Sequence, residues 1–228
     1  MTGLTVLRSL ELLPVLELEP GRFAAREYPL PSGSGLEMPE AWRRYWLDCL
    51  TDAGITGLSP LRPASWHVPT RDLIETAILE KILNTICRVW GGIEALSDPD
   101  CEPVLSGGLA LLSGGEVLVE PTCCSDLGNL SNWREAAGYQ GLTWQTLWIG
   151  HPWLSIRHQY GSLVITEPHD SKPPEGRWAV QPDVLGRAIA AAEVELEDFA
   201  RRLRRALVSL GSGDRGGGLA RQLAGLAS

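Results

Sequence analysis

Residues 120–157 read EPTCCSDLGNLSNWREAAGYQGLTWQTLWIGHPWLSIR, and this stretch decides how the rest of the chain is interpreted. It holds two adjacent cysteines, four of the nine tryptophans and the compact turn Gly150-His151-Pro152-Trp153. Strand-like runs lie on one side of it and long helical patterns on the other. No spacing within it matches a nucleophile elbow, a phosphate loop or a metal-ligand motif. We therefore expect this stretch to fix the topology and to hold any binding chemistry.

Short apolar runs on both sides of this stretch predict one antiparallel sheet. Strands are predicted at residues 109–112, 117–119, 146–149, 154–158 and 163–166. The first two are joined by Ser113-Gly114-Gly115-Glu116, whose glycines supply the positive φ that a tight hairpin needs. A short helix is predicted at residues 131–137. Because the strands follow one another and are joined by short glycine turns, an antiparallel meander is favoured over parallel βαβ units.

Long helices are predicted at residues 39–53, 70–90 and 182–210. Pro39 suits a first helical position and Thr70 an N-cap. In the last helix acidic residues precede arginines, which predicts Glu197–Arg201 and Asp198–Arg202 pairs at i, i+4. The predicted fold class is therefore α+β: an antiparallel sheet meander packed by two preceding helices and one long C-terminal helix.

The chain is expected to form a single α+β domain over residues 1–210. Residues 1–35 are a strand-like N-terminal extension, in which the alternation Leu16-Glu17-Leu18-Glu19 predicts a half-exposed strand. Residues 211–228 are predicted to be a flexible, glycine-rich C-terminal tail, because an isolated helix as short as its last ten residues is marginal in water. The alternative for that tail is a peptide that docks on another surface.

Composition restricts the classes of protein to which the chain can belong. No apolar run reaches the ~18–20 residues that cross a bilayer, and the N-terminus lacks a signal-peptide pattern, so we expect a cytoplasmic protein without membrane contact. Five cysteines, an odd number, indicate reduced thiols rather than a disulfide framework. A net charge of −8 argues against direct nucleic-acid binding and favours a basic protein as partner, although solubility alone also explains it.

The adjacent Cys123 and Cys124 have three interpretations: structural residues, metal ligands or a nucleophile. The candidates for metal ligands are Cys101, Cys123, Cys124, His151 and His158. Catalysis by a thiolate would need a base such as His151 within hydrogen-bond reach. The structural interpretation is preferred, and neither a metal, a cofactor nor a catalytic residue is predicted.

Binding through aromatic side chains is the alternative to chemistry. Trp133 and Trp153 are the predicted anchors, with His151 and Asp126 beside them in the same stretch. Tryptophan suits this role because it buries a large apolar area and retains one hydrogen-bond donor. The carboxylates near the stretch, Asp126 among them, have no spacing that makes an acid/base pair.

Four segments together resemble a known family. They are VWGGI (residues 89–93), GLALLSGGEVLVEP (residues 108–121), DLGNL (residues 126–130) and LWIGHPW (residues 147–153). In this order they are similar to the SUKH superfamily of bacterial immunity and interaction proteins, which place helices before a glycine-turned antiparallel meander. The chain departs from that pattern in its length, its N-terminal extension and its adjacent cysteines.

The resemblance implies a non-enzymatic protein that inhibits by docking, often on a toxin with a basic active cleft, and it transfers no catalytic residue. Two other hypotheses remain. One is a thiol- or metal-dependent enzyme centred on Cys123, Cys124 and His151. The other is a subunit or adaptor of a bacterial defence or secretion assembly, which would use residues 211–228 as a docking peptide.

Overall fold

The computed structural model describes residues 3–88, 91–92, 95–97, 103–213 and 216–226. The chain divides into two compact units: the first comprises Met1–Val15 and Ser106–Leu196, and the second comprises Leu16–Leu105 and Glu197–Ser228. The predicted single domain over residues 1–210 therefore stays a prediction.

The predicted α+β class is confirmed. The described strands are β1 (Thr5–Leu7), β2 (Glu11–Glu17), β3 (His67–Pro69), β4 (Gly107–Ser113), β5 (Glu116–Val119), β6 (Gln145–Leu147), β7 (Leu154–Gln159), β8 (Ser162–Thr166) and β9 (Gly176–Val180). The described α-helices are α1 (Pro20–Phe23), α2 (Pro39–Asp52), α3 (Thr76–Cys87), α4 (Leu130–Gly138), α5 (Pro182–Ser209) and α6 (Gly216–Leu223). None of the described helices is both long and apolar enough to cross a membrane.

The larger sheet lies in the first unit and has the order β1-β9-β8-β7-β6. Its neighbours are antiparallel, except that β1 runs parallel to β9. One row of side chains across it is buried, including Leu154, Ile156, Leu163 and Ile165. The Gly150–Trp153 turn lies between the end of β6 and the start of β7, and this core holds both strand ends in place.

A second sheet has the order β3-β2-β4-β5. Its β4–β5 hairpin is confirmed, with Ser113 opposite Glu116 and positive φ at Gly114 and Gly115. The prediction of one sheet is wrong, because residues 109–112 and 117–119 belong to this sheet and residues 146–149 and 163–166 lie in or beside strands of the other. The reason is the connection between β5 and β6, which contains α4 and is too long for a hairpin.

The second unit contains α2 and α3 with a core of large apolar side chains. Trp46 is fully buried, and its Nε1–H donates to the carbonyl of Leu18 at 2.9 Å. Within the alternating segment, Leu16 and Leu18 are buried while Glu17 and Glu19 stay partly exposed, as predicted. The second half of α5 contributes Phe199, Leu203 and Leu207 to the buried set.

The predicted start of the second helix at Thr70 is wrong. Thr70–Asp72 is a single 3₁₀ turn, and α3 begins at Thr76. The Arg202 guanidinium explains the break, because its Nη1 donates to the carbonyl oxygens of Thr70 at 2.6 Å and Leu73 at 3.3 Å. The Thr70 carbonyl also accepts the Leu73 N–H at 3.1 Å, so a 3₁₀ bond and a side-chain bond take the place of the α-helical bond expected there. The predicted end at residues 89–90 lies outside the described residues.

The long C-terminal helix is confirmed as α5. Its Asp198 carboxylate pairs with Arg201, while the Asp198 carbonyl accepts from Arg202 Nε at 3.3 Å. Glu197 accepts from Arg221 of α6 through both carboxylate oxygens at 2.6 Å. The predicted Glu197–Arg201 and Asp198–Arg202 pairs stay predictions. Within the predicted flexible tail, Gly216–Leu223 form the helix α6. Leu219 and Leu223 of α6 are buried, and the Leu105 N–H donates to the Leu223 carbonyl at 3.1 Å.

Candidate functional site

The Gly150–Trp153 turn is held against residues 122–123 by backbone hydrogen bonds. The His151 N–H donates to the Cys123 carbonyl at 2.8 Å, and the Thr122 N–H donates to the Ile149 carbonyl at 2.9 Å. The Thr122 hydroxyl also donates to the Pro152 carbonyl at 2.8 Å. The His151–Pro152 peptide is cis. The three hydrogen bonds of Thr122 and His151 give the turn one defined position in the first unit.

Gly150 is required where the two segments meet. Its φ is +105°, a conformation that side-chain-bearing residues rarely adopt. A Cβ at this position would lie 2.5 Å from the carbonyl oxygens of both Thr122 and Cys123. Only glycine therefore permits this close approach of the two backbones.

The other side of the turn is joined to residue 169. Trp153 and His169 exchange backbone hydrogen bonds of 3.2 and 2.9 Å. The His169 ring lies 2.9 Å from the Ser171 carbonyl through Nδ1 and 3.0 Å from the Ser155 hydroxyl through Nε2. Because a carbonyl oxygen only accepts, Nδ1 carries a proton and donates to it. The ring is therefore fixed on both sides.

These connections build a cluster of aromatic rings at the surface. Trp148 and Trp153 stack with centroids 6.3 Å apart and planes 20° apart, and His151 and His169 meet Trp153 edge-on at 5.2 and 5.9 Å. His151 Nδ1 lies 3.3 Å from Asp170 Oδ1. Trp148 is 41% exposed, and Trp153 is partly exposed. We call Trp148, His151, Trp153, His169 and Asp170 the tryptophan–histidine patch.

Trp133, a predicted surface anchor, belongs instead to the core. It is fully buried, and its Nε1–H donates to Asn129 Oδ1 at 2.9 Å. Asn129 Nδ2 in turn donates to the Trp148 carbonyl, to which Asn132 Nδ2 also donates at 3.1 Å. Trp133 therefore supports the patch from within the core, because its N–H orients the Asn129 side-chain amide, which donates to the Trp148 carbonyl.

Asp126, also predicted to bind, is exposed but has a structural task. It is the N-cap of the 3₁₀ helix Leu127–Asn129, where its Oδ1 accepts from the Gly128 N–H at 2.8 Å. This cap fixes the segment that carries Asn129. The carboxylate stays open to solvent and adds negative charge to the same unit as the patch.

Cys123 and Cys124 are both exposed, so neither belongs to the core, and the preferred structural interpretation of the pair stays a prediction. Their Sγ atoms lie 3.3 Å apart. Cys49 and Cys87 are buried, and burial raises the pKa of both thiols, to about 11 for Cys87. The accessible thiols of the described residues are therefore those beside the patch.

The metal candidates are only partly brought together. Cys123 and His151 are opposed in a β-bridge, whereas His158 lies in β7 with its N–H on the Gly141 carbonyl. Cys101 lies outside the described residues. Among the residues that the structure does describe, no group of three or more His, Cys, Asp or Glu side chains is arranged to hold a metal ion.

Two clefts in the second unit are separate from these residues. One, of about 440 Å³, is lined by Arg26, Tyr28, Asp48, Thr51 and Asp52. The other, of about 420 Å³, is lined by Arg201, Arg204, Arg205 and Val208. The first lining is mainly polar, whereas the second exposes mainly the apolar parts of its arginines and Val208. Neither lining includes a cysteine or a histidine that could act as nucleophile or base.

Sequence reasoning missed Trp148 and His169. Trp148 had a usable signal, since it alternates with Leu147 and Ile149, both buried, and alternation places it on the opposite face. His169 had no such signal in the sequence, because only the fold brings it to Trp153.

The chain matches no protein-family model, no curated protein and no solved structure. The SUKH resemblance therefore stays a prediction.

Proposed function

We propose that this protein is a non-enzymatic binding protein of the immunity type, which docks on a basic partner protein through the tryptophan–histidine patch. The observation that carries the proposal is the stacked Trp148–Trp153 pair, exposed at the surface and flanked by His151 and Asp170. Exposed tryptophans that are held in place are the side chains that most often dominate the energy of a protein interface.

Rigidity of the patch favours binding. Trp153 is held by the β-bridge to His169, and Trp148 by the side-chain amides of Asn129 and Asn132. A side chain that is already ordered loses little conformational entropy when a partner covers it. The patch thus has the features of a preorganised contact surface.

Charge supports the choice of a basic partner. The chain carries a net charge of −8, and Asp126 and Asp170 are exposed carboxylates of the unit that holds the patch. Negative potential accelerates the encounter with a basic surface, while the aromatic contacts slow dissociation. The idea that this partner is a toxin comes from the SUKH resemblance.

The test compares three variants for capture of proteins from the native host and for affinity to the captured partner. Trp148→Ala and Trp153→Ala should each weaken binding by about 30-fold or more, the effect of losing ~2 kcal/mol at a hot spot. Tyr160→Asn is the matched control, because it removes a ring that is 95% exposed at a φ of +49°, which asparagine tolerates. Unchanged affinity in both tryptophan variants would overturn the proposal.

Two alternatives differ in what supports them. The adaptor hypothesis relied on residues 211–228 as a docking peptide, yet Leu219 and Leu223 of that segment are already buried in the second unit. A thiol- or metal-dependent enzyme at Cys123, Cys124 and His151 is supported by the exposure of both thiols. It would show turnover that alkylation of those thiols abolishes.

A further inference from the structure

We propose that Cys123 and Cys124 form a reversible dithiol–disulfide pair, a modification site whose co-reactant is a low-molecular-weight disulfide. The site does not depend on the proposed partner. It rests on where the two sulfur atoms lie, on the turn that presents them and on the contrast with the other described cysteines.

Accessibility and proximity come first. Both side chains are exposed, and the two Sγ atoms are 3.3 Å apart, close enough for one sulfur to attack a disulfide formed on the other. The described thiols Cys49 and Cys87 are buried. Burial raises the pKa of the Cys87 thiol to about 11, which disfavours its reactive thiolate at neutral pH.

The backbone presents the pair in a tight turn. The Ser125 N–H donates to the Thr122 carbonyl at 3.2 Å, which makes Cys123 and Cys124 the two central residues of a β-turn. Cys124 has a φ of +67°, a conformation that usually falls to glycine or asparagine. A cysteine at this position makes the fold less stable than glycine or asparagine would. Backbone outliers of this kind often mark a functional residue.

The chemistry is thiol–disulfide exchange in two steps. The thiolate of one cysteine attacks a sulfur of the small disulfide, forms a mixed disulfide and releases one small thiolate, which takes up a proton. The second cysteine then loses its proton and attacks the protein sulfur of the mixed disulfide, which forms the Cys123–Cys124 bond and releases the second small thiol. The protein loses two protons and two electrons, and the small disulfide takes them up to become two thiols.

Reversibility follows from the adjacency of the two residues. Neighbouring Cα atoms are about 3.8 Å apart, below the ~4.4–6.8 Å that disulfides usually span. The bond between adjacent cysteines is therefore strained and easily reduced, unlike a structural disulfide. Its formation must shift the turn, and the Cys123 carbonyl in that turn accepts the His151 N–H at 2.8 Å. Oxidation should thus disturb the edge-on contact of His151 with Trp153.

The experiment uses the full chain with Cys101→Ser, since Cys101 is not among the described residues. The protein is incubated with oxidised glutathione, and its intact mass and the peptide that carries residues 123–124 are measured. The parent should lose the mass of two hydrogens without keeping an adduct, whereas Cys123→Ser and Cys124→Ser should each retain one glutathione. A parent that accumulates glutathione adducts, or stays unmodified, would overturn the proposal.

Two further measurements need no cysteine variant. A trivalent arsenical, which chelates paired thiols, should bind once per chain and block both oxidation and alkylation at residues 123–124; failure to bind would overturn the pairing. Tryptophan emission should change on oxidation and return on reduction, and unchanged emission would overturn the link to the patch. Loss of partner binding in the tryptophan variants tests the proposed function separately, because these readouts require no partner.

Discussion

The Trp133→Phe substitution tests whether Trp133 supports the tryptophan–histidine patch through its buried hydrogen bond rather than by contacting a partner. The indole is fully buried, and its N–H is bonded to Asn129 Oδ1, which is itself on a side chain only 3% exposed. Phenylalanine keeps most of the ring but removes this donor. Loss of a partner for a buried acceptor costs about 1–3 kcal/mol. The smaller ring adds about 1 kcal/mol for the unfilled volume.

Trp133→Phe should therefore lower the free energy of unfolding by about 2–4 kcal/mol, a large part of the ~5–15 kcal/mol of a typical domain. In urea, with a slope of about 2 kcal/mol/M, the midpoint should fall by about 1–2 M. The control is Trp148→Phe at the 41% exposed surface position. It should change the free energy of unfolding by less than about 0.5 kcal/mol.

A double-mutant cycle locates the effect at the Trp133–Asn129 hydrogen bond. In an Asn129→Ala background the acceptor is already absent, so Trp133→Phe should cost about 0.5–3 kcal/mol less than in the parent protein. Equal costs in both backgrounds, or a midpoint shift no larger than that of Trp148→Phe, would refute the supporting role of Trp133.

Other substitutions test the turn and the C-terminal helix. Gly150→Ala should destabilise the protein by about 2–5 kcal/mol in thermal or urea unfolding, because its Cβ would meet two carbonyl oxygens at a positive φ. In α5, a Cβ at Gly186 would meet nothing within 4 Å, so Gly186→Ala should stabilise the protein by about 0.5–1 kcal/mol. If Gly150→Ala and Gly186→Ala changed the stability in the same direction, the geometry would be contradicted. Leu223→Ala should lower the free energy of unfolding by about 2–5 kcal/mol, because the side chain is fully buried. Arg221→Met, which removes a half-exposed ion pair, should lower it by under about 1 kcal/mol. A larger effect of Arg221→Met than of Leu223→Ala would mean that charge, not burial, holds α6.

Local signals in the sequence were enough for the elements whose partners are near in the chain. The Gly114-Gly115 hairpin and the starts of α2 at Pro39 and α5 at Pro182 follow from turn glycines and from prolines in the first helical turn, and the structure confirms them. Each depends on conformational preferences of a few adjacent residues.

Features that depend on distant partners could not be predicted. Thr70 has the chemistry of an N-cap, yet Arg202, 132 residues later, binds its carbonyl and the helix begins elsewhere. Trp133 was expected at the surface, but packing buries it completely, and its donor reaches Asn129 Oδ1. His169 reaches Trp153 only because β7 and β8 pair and return the chain to the turn.

The most direct test of the central claim is a titration of the captured partner with this protein at low and high ionic strength. Docking on a basic partner predicts that the effect saturates at a fixed stoichiometric ratio and is lost in Trp153→Ala. It also predicts that association slows as salt screens charges beyond roughly 8–10 Å while dissociation changes much less. A full effect at strongly substoichiometric protein, or an association rate independent of salt, would contradict the account.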